Sequence, residues 1–321
     1  MSSPPERPGT RHLVLRVAAT SDLTPTVRRF VLRDPAGRPL PGYEPGAHVV
    51  VTTPAGHLRG YSLVDPGGPA PREYVVCVRR DDRGRGGSRS MHDDVTVGTD
   101  LVVTAPANTF ALRPAARYLF VAGGIGITPV RAMVRWLRAR PGADVRLVYL
   151  TRSPAETPFR DELGGPGDTV HHSAGGGRLD LWPYLAEPAD DLRLYCCGPP
   201  ALLRAVRAAT AHWRPSRVHT ERFAGGTEGA SVPFTAVWAP DGRRVQVPAD
   251  VSLLTALRRD GVRVDASCEA GVCGTCRLTL LDGVADHRDA VLTGPERVGH
   301  VMACVSRART SEIVVGPPRA A

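Results

Sequence analysis

"SCEAGVCGTC", residues 267–276, sets Cys268, Cys273 and Cys276 in a C-x4-C-x2-C pattern on one short stretch, and a fourth cysteine, Cys304, follows at a distance. Three thiolates from one loop and a fourth from another strand are the ligand arrangement of a [2Fe-2S] cluster. Gly271 and Gly274 fall between the ligands, where the lack of a side chain lets backbone amides approach inorganic sulfide. The alternative is zinc, which also takes four thiolates but ordinarily from two close pairs, whereas Cys268 and Cys304 each stand alone. Outward from the loop lie "VPFTAVW", a "DG" turn, "RRVQVP" and the helical pattern "VSLLTALRRDG". Residues 232–321 therefore predict a compact α+β unit with a core of its own.

That unit is preceded by "AGGTEGAS", residues 224–231, a small and polar stretch that reads as a linker. Before it, "RYLFVAGG", "PVRAMVRWLRAR", "DVRLVYLT", "DLRLYCCG" and "PALLRAVRAATAHW" alternate strand and helix. Such alternation across residues 113–223 predicts an α/β domain with a parallel sheet. Residues 10–112 instead carry "HLVLRVAAT", "TVRRFVL", "HVVVTT", "YVVCVRR" and "DLVVTAP" between Pro and Gly clusters, which predicts an antiparallel β-barrel. A multidomain chain is also what 321 residues lead one to expect, since single cores stop growing near this length.

Composition narrows the function. The net charge of +9 comes entirely from arginine, with no lysine, and runs such as "RRDDRGRGGSR" are broken by acids. With aromatics at only 5% there are few platforms for base stacking, so nucleic acid is not an expected partner. The N-terminal "MSSPPERPGTRH" lacks the apolar stretch of a signal peptide and no run is long enough for a membrane helix, so a cytoplasmic location without membrane attachment is expected. Thiolates survive there to bind metals. Cys77 and Cys196 read as core thiols.

In "FVAGGIGITPV", Gly123, Gly124 and Gly126 allow a tight turn after a strand, and a helix beginning near Thr128 and Pro129 offers unpaired amides to a pyrophosphate. The pattern departs from G-x-G-x-x-G, which argues against an ordinary Rossmann dehydrogenase. "GGIGITP" followed by "YCCGPP" resembles the nicotinamide half of the ferredoxin-NADP reductase superfamily, and residues 232–321 resemble a plant-type ferredoxin, including "HRDAVLT" and "MACVSRA". "RGYSL", residues 59–63, resembles that superfamily's R-x-Y-S signature, and "GRGGSRSMHD", residues 84–93, its phosphate loop in one branch. With "APANTFAL" and "ERF", residues 221–223, the similarity extends over nearly the whole chain to the phthalate dioxygenase reductase family, which includes the reductases of vanillate demethylases.

The resemblance implies a barrel that holds FMN rather than FAD, an α/β domain that binds NADH, with NADPH the alternative, and a β-grasp ferredoxin domain. It implies Arg59 for phosphate, Tyr61 against the flavin, Ser62 near its reactive nitrogen, Val78 and Arg79 beside it, and Arg85, Gly86, Gly87 and Ser88 as the phosphate loop. Cys197, followed by Gly198 and Pro199, would lie beside the nicotinamide and flavin rings, with Ser62 and Cys197 positioning those rings and Glu221 and Phe223 close by. Arg152, after the strand "RLVYL", falls where the adenosine ribose would lie, and Arg178 could close the same pocket. A reduced nicotinamide would pass two electrons to the flavin, and Cys268, Cys273, Cys276 and Cys304 would hold the cluster that hands them on singly. No Rieske C-x-H pair is present, so the expected acceptor is a separate terminal oxygenase of Rieske or haem-thiolate type. The ferredoxin segment carries eleven arginines against ten carboxylates and so lacks a strongly acidic docking face. A monomer is expected. A redox-sensing or zinc-bearing binding protein with an inactive nucleotide fold is the alternative from another class.

Overall fold

A computed structural model describes residues 12–84, 86–162, 164–223, 232–249, 251–266, 271, 274–289 and 291–318. The chain forms two compact units, one ending at Arg222 and the other beginning at Phe223. The first unit contains both a barrel and a parallel sheet.

The barrel is built from β1 (His12–Thr24), β2 (Val27–Arg33), β3 (His48–Thr52), β4 (Leu58–Ser62), β5 (Tyr74–Arg79) and β6 (Asp100–Thr104). Their order is β4-β3-β6-β1-β2-β5, all neighbours antiparallel. A bridge between Leu63, just past β4, and Val76 in β5 joins the two edges and closes the sheet on itself. Alternate residues point inward, and Leu15, Val17, Phe30, Leu32, Val49, Val51, Val76 and Val78 make the core. The stretch read as a phosphate loop is in fact largely helical. Gly86 turns at φ 82°, and α1 (Gly87–Asp93) follows because Ser90 bonds back to the Gly86 carbonyl at 2.9 Å and Met91 is fully buried in the barrel core.

The parallel sheet contains β7 (Arg117–Gly123), β8 (Asp144–Thr151), β9 (Thr169–His172), β10 (Leu192–Cys197) and β11 (Val218–Glu221) in the order β11-β10-β7-β8-β9. From central β7 the chain adds β8 and β9 on one side, then crosses to add β10 and β11 on the other. The crevice between the C-terminal ends of β7 and β10 is therefore the topological switch point, where open α/β sheets take their ligands. A short 3-10 turn, Gly124–Gly126, leads into α2 (Ile127–Arg138), so the helix begins two residues earlier than Pro129 suggests. Its apolar stripe of Ile127, Val130, Met133, Val134 and Leu137 is buried. Two four-residue helices, α3 (Ser173–Gly176) and α4 (Trp182–Leu185), precede α5 (Pro200–Ala209), whose Leu202, Leu203 and Val206 pack with Cys196, Leu194 and Val121. Period-two alternation thus sends Cys196 into that core and its neighbour Cys197 to the opposite face.

In the second unit, β12 (Phe234–Trp238), β13 (Arg243–Val247), β14 (Arg277–Asp282), β16 (His300–Met302) and β18 (Glu312–Gly316) form one sheet in the order β13-β12-β18-β14-β16, while β15 (Ala285–Asp286) and β17 (Arg307–Ala308) pair separately. Among the described residues β12 and β18 run parallel and the other neighbours antiparallel, and α6 (Leu253–Arg259) packs Leu253, Leu254 and Leu257 into the core. This is the β-grasp arrangement. Ser252 caps α6 by accepting a bond from the Thr255 amide. No helix among the described residues is long and apolar enough to cross a membrane.

Candidate functional site

The barrel end of the site is set by β4, which pairs with β3 so that Arg59, Tyr61 and Ser62 face Val51, Val49 and His48. Tyr61 Oη and Ser62 Oγ are both buried and have no hydrogen-bond partner among the described residues. Burial also pushes the Tyr61 phenol up, so it stays protonated. A buried hydroxyl without a partner is uncommon and costly, and two on successive residues mark a place where a polar ligand completes the bonding. The polar edge and hydroxylated chain of a flavin fit that requirement.

A basic cradle adjoins these hydroxyls in sequence. A methyl group added at Gly87 would fall 2.4 Å from Arg59 Nε, and one at Gly86 3.1 Å from His57 Nε2 and 3.7 Å from Arg89 Nη2. Only glycines let the backbone approach these basic side chains so closely, and the set suits a phosphate group. His57 and Arg89 are additions that the sequence motif did not single out, because they reach the cradle from outside "GRGGS". Ser88 plays another part: its hydroxyl accepts the Asp81 amide at 3.0 Å and so pins the turn before α1. Arg85 lies outside the described residues. Val78 is buried with its carbonyl bonded to His92 Nε2 at 2.9 Å, while Arg79 ends β5 in an exposed position.

At the switch point, the close approach made by the glycines is to protein. A methyl group at Gly126 would meet the Cys197 carbonyl oxygen at 2.2 Å, and one at Gly123 would meet Pro199 Cδ at 2.7 Å. A methyl group at Gly198 would likewise fall 3.0 Å from the Gly123 Cα. Gly123, Gly126 and Gly198 therefore lock the first turn of the nucleotide fold onto the Cys197–Pro199 turn. Gly124 differs: its φ is 53°, and a methyl group added there would meet nothing within 4 Å, so it faces open space. Thr128 turns its hydroxyl back to the Ile125 carbonyl at 2.9 Å, and both Thr128 and Pro129 are buried in the first turn of α2.

Cys197 is fully buried, and its thiol faces Glu221 Oε2 at 3.9 Å across the β10–β11 pair. Burial pushes the Glu221 carboxyl up to about 8 and, with Glu221 adjacent, raises the Cys197 thiol well above its usual range. Burial therefore disfavours the charged form of both groups. Cys197 is thus an unreactive packing surface beside the switch point rather than a nucleophile. Arg152 and Arg178 are both exposed, with Arg152 just past β8, and no hydrogen bond or ion pair among the described residues engages either guanidinium. Phe223 lies two residues past the end of β11 at Glu221, where the chain leaves the sheet, and the division between the two compact units falls just before it.

In the second unit, Cys276 and Cys304 are buried and brought to one end of the sheet. The β14–β16 register pairs Arg277 with Met302, and the Ala303 amide bonds the Cys276 carbonyl at 3.1 Å. Cys268 and Cys273 lie outside the described residues. Gly271 and Gly274 have φ of 72° and 83°, and a methyl group at Gly271 would strike Val305 at 2.6 Å. Beside Gly271, buried Asp289 accepts the Val291 and Leu292 amides at 3.1 and 2.8 Å. Asp289 therefore fixes a turn that lies against Gly271. The two described cysteines come from separate segments of the second unit, and both are buried.

Comparison with known proteins agrees with this arrangement. The family model described as "2Fe-2S iron-sulfur cluster binding domain" matches residues 237–309, which favours iron-sulfur over zinc. The phthalate 4,5-dioxygenase oxygenase reductase subunit of Pseudomonas putida is 42% identical over 94% of this chain and 95% of its own length. The phthalate dioxygenase reductase of Burkholderia cepacia is 41% identical over 94% of this chain and 97% of its own. The chain belongs to the phthalate dioxygenase reductase family. A solved phthalate dioxygenase reductase, described as a modular structure for electron transfer from pyridine nucleotides to [2Fe-2S], superposes with a TM-score of 0.79 at 40% identity, covering 95% of this chain and 98% of that one. A self-sufficient cytochrome P450 monooxygenase matches 98% of this chain with 43% of its own length, at 37% identity and a TM-score of 0.72. Membership in the phthalate dioxygenase reductase family makes this chain an oxidoreductase with a flavin barrel, a nucleotide-binding sheet and a ferredoxin unit.

Proposed function

We propose that this protein is the NADH-dependent reductase component of an oxygenase system, holding FMN in the barrel and a [2Fe-2S] cluster in the β-grasp unit. Its domains would be the FMN barrel at 10–112, the nucleotide domain at 113–223, the linker at 224–231 and the ferredoxin domain at 232–321. The observation that carries this reading is the pair of partnerless buried hydroxyls on Tyr61 and Ser62, in the same compact unit as a glycine-locked switch point. When bound, the flavin supplies the change from two-electron to one-electron transfer. The chain's own residues then position and insulate. Arg59, with Arg85, Gly86 and Gly87, anchors the phosphate end. Tyr61 and Ser62 orient the ring system. Cys197 and the protonated Glu221 present an uncharged wall at the crevice, so the hydride step needs no general acid or base and rests on alignment. Cys268, Cys273, Cys276 and Cys304 hold the cluster.

The acceptor is read as a separate terminal oxygenase, of Rieske or haem-thiolate type, and the reductase as a monomer in the cytoplasm. Phthalate dioxygenase, heme-dependent oxidative N-demethylase and P450 names among the relatives support an oxygenase partner. The test is an anaerobic NADH titration followed in the visible spectrum, with the released flavin identified. Bleaching of a flavin band and a red-brown iron-sulfur band, with FMN released, is expected; a colourless protein would overturn the reading. Coenzyme choice is checked with Arg152→Ala, which should leave NADH turnover within about twofold of wild type if this exposed guanidinium does not grip a 2′-phosphate. A selective loss with NADPH would reverse the assignment.

A further inference from the structure

Arg131 belongs to no motif, yet it joins three parts of the first unit. It sits on α2, four residues past the helix start, and its side chain is only 10% exposed. Nη1 donates to the Val64 carbonyl and to Asp65 Oδ1, both at 2.8 Å, and Nε donates to Glu162 Oε2 at 2.8 Å. The guanidinium also lies 4.5 Å from the centroid of Phe159, whose φ of 58° is a left-handed conformation rarely taken by a side-chain-bearing residue.

Each end of this clamp is rigid. Val64 is two residues past Ser62 and is fixed in the barrel, since its amide bonds the Val75 carbonyl at 3.1 Å and Leu63 bridges Val76. On the other side, Ile127 and Val130 anchor α2 in the core, directly after the turn that Gly123 and Gly126 lock onto Cys197. A planar guanidinium with several donors fixes direction as well as distance, and Arg131 itself is largely shielded although Asp65 and Glu162 are 32% and 45% exposed.

We propose that Arg131 is a positioning residue that holds the nicotinamide turn at a set spacing from Ser62, and so controls the alignment of the hydride step. This rests on the reading of the barrel and the switch point as flavin and nicotinamide sites. Hydride transfer is steep in donor–acceptor distance, so a small shift of α2 lowers its rate without emptying either site.

The experiment is stopped-flow reduction of the bound flavin in full-length holoprotein, using NADH and NADH dideuterated at C4, for wild type, Arg131→Met, Arg131→Lys and Asp65→Asn. Arg131→Met is expected to keep its flavin and iron, to lose ~10–100-fold in the limiting reduction rate, and to show a larger deuterium isotope effect than wild type. Arg131→Lys should recover part of the loss through one retained charge. Asp65→Asn, close in shape, should fall several-fold with the isotope effect also raised, and it decides the matter if Arg131→Met does not fold. Unchanged rates and isotope effects in the folded variants would overturn the proposal. A wild-type flavin that NADH does not reduce would instead overturn the functional reading beneath it.

Discussion

Ser62 and Glu221 carry the most information for single residues. The Ser62 hydroxyl is buried without a partner, so Ser62→Ala should leave the flavin-free protein as stable as wild type or more stable by ~1 kcal/mol, since an unsatisfied buried group is removed. Flavin reduction by NADH should fall ~10-fold or more in the same variant if the hydroxyl orients the ring. Thermal melting of the flavin-free protein beside stopped-flow reduction checks both; a marked loss of flavin-free stability would show an internal partner. Glu221, raised from 4.5 to about 8 by burial, keeps its proton in the folded chain over a range where the unfolded chain has released it. Stability must then fall as pH rises between these values, by up to ~5 kcal/mol at about 1.4 kcal/mol per pH unit. Glu221→Gln mimics the protonated form. Its melting temperature should match wild type near pH 5 and exceed it near pH 8; equal pH slopes would mean that the carboxyl is hydrated.

At the level of elements, the strand-to-helix turn after β7 shows how far a motif can be read. "GGIGITP" identifies a turn and a helix because glycine freedom and the following apolar periodicity are local properties. It does not reveal that Gly123 and Gly126 are small because Cys197 and Pro199 lie against them, since those residues are far along the chain and approach through the β7–β10 pairing. Gly126→Ala should push the turn off β10, costing ~1–3 kcal/mol of stability and raising the KM for NADH at least several-fold, with flavin content unchanged. Steady-state kinetics and a melting curve check it. A KM equal to wild type would show that the turn relaxes without disturbing the nucleotide site. The stretch 84–93 makes the same point from the other side. Its glycines and serines read as a loop, but burial of Met91 under the barrel draws seven residues into α1.

Over the whole molecule, the division into one compact unit ending at Arg222 and another beginning at Phe223 separates the nicotinamide and flavin chemistry from the cluster. Cys276→Ser should therefore remove the iron-sulfur spectrum and electron transfer to a one-electron protein acceptor, while NADH–ferricyanide activity stays within about twofold of wild type. Equal loss of both activities would place the cluster upstream of the flavin. The sequence by itself determined the order of barrel, parallel sheet and α+β unit, the spacing of the four cysteines and the glycine-rich turn, because hydrophobic period, ligand spacing and turn chemistry act between chain neighbours, while the β-grasp and the role of R-x-Y-S came from the family resemblance. Only the tertiary structure decided that the Tyr61 and Ser62 hydroxyls lack partners among the described residues, that His57 and Arg89 join Arg59 around Gly86 and Gly87, that burial raises the Glu221 carboxyl beside Cys197, and that Arg131 ties α2 to Asp65 and Glu162. Those properties are set by desolvation and by contacts between segments distant in the chain, and a local pattern carries no record of either.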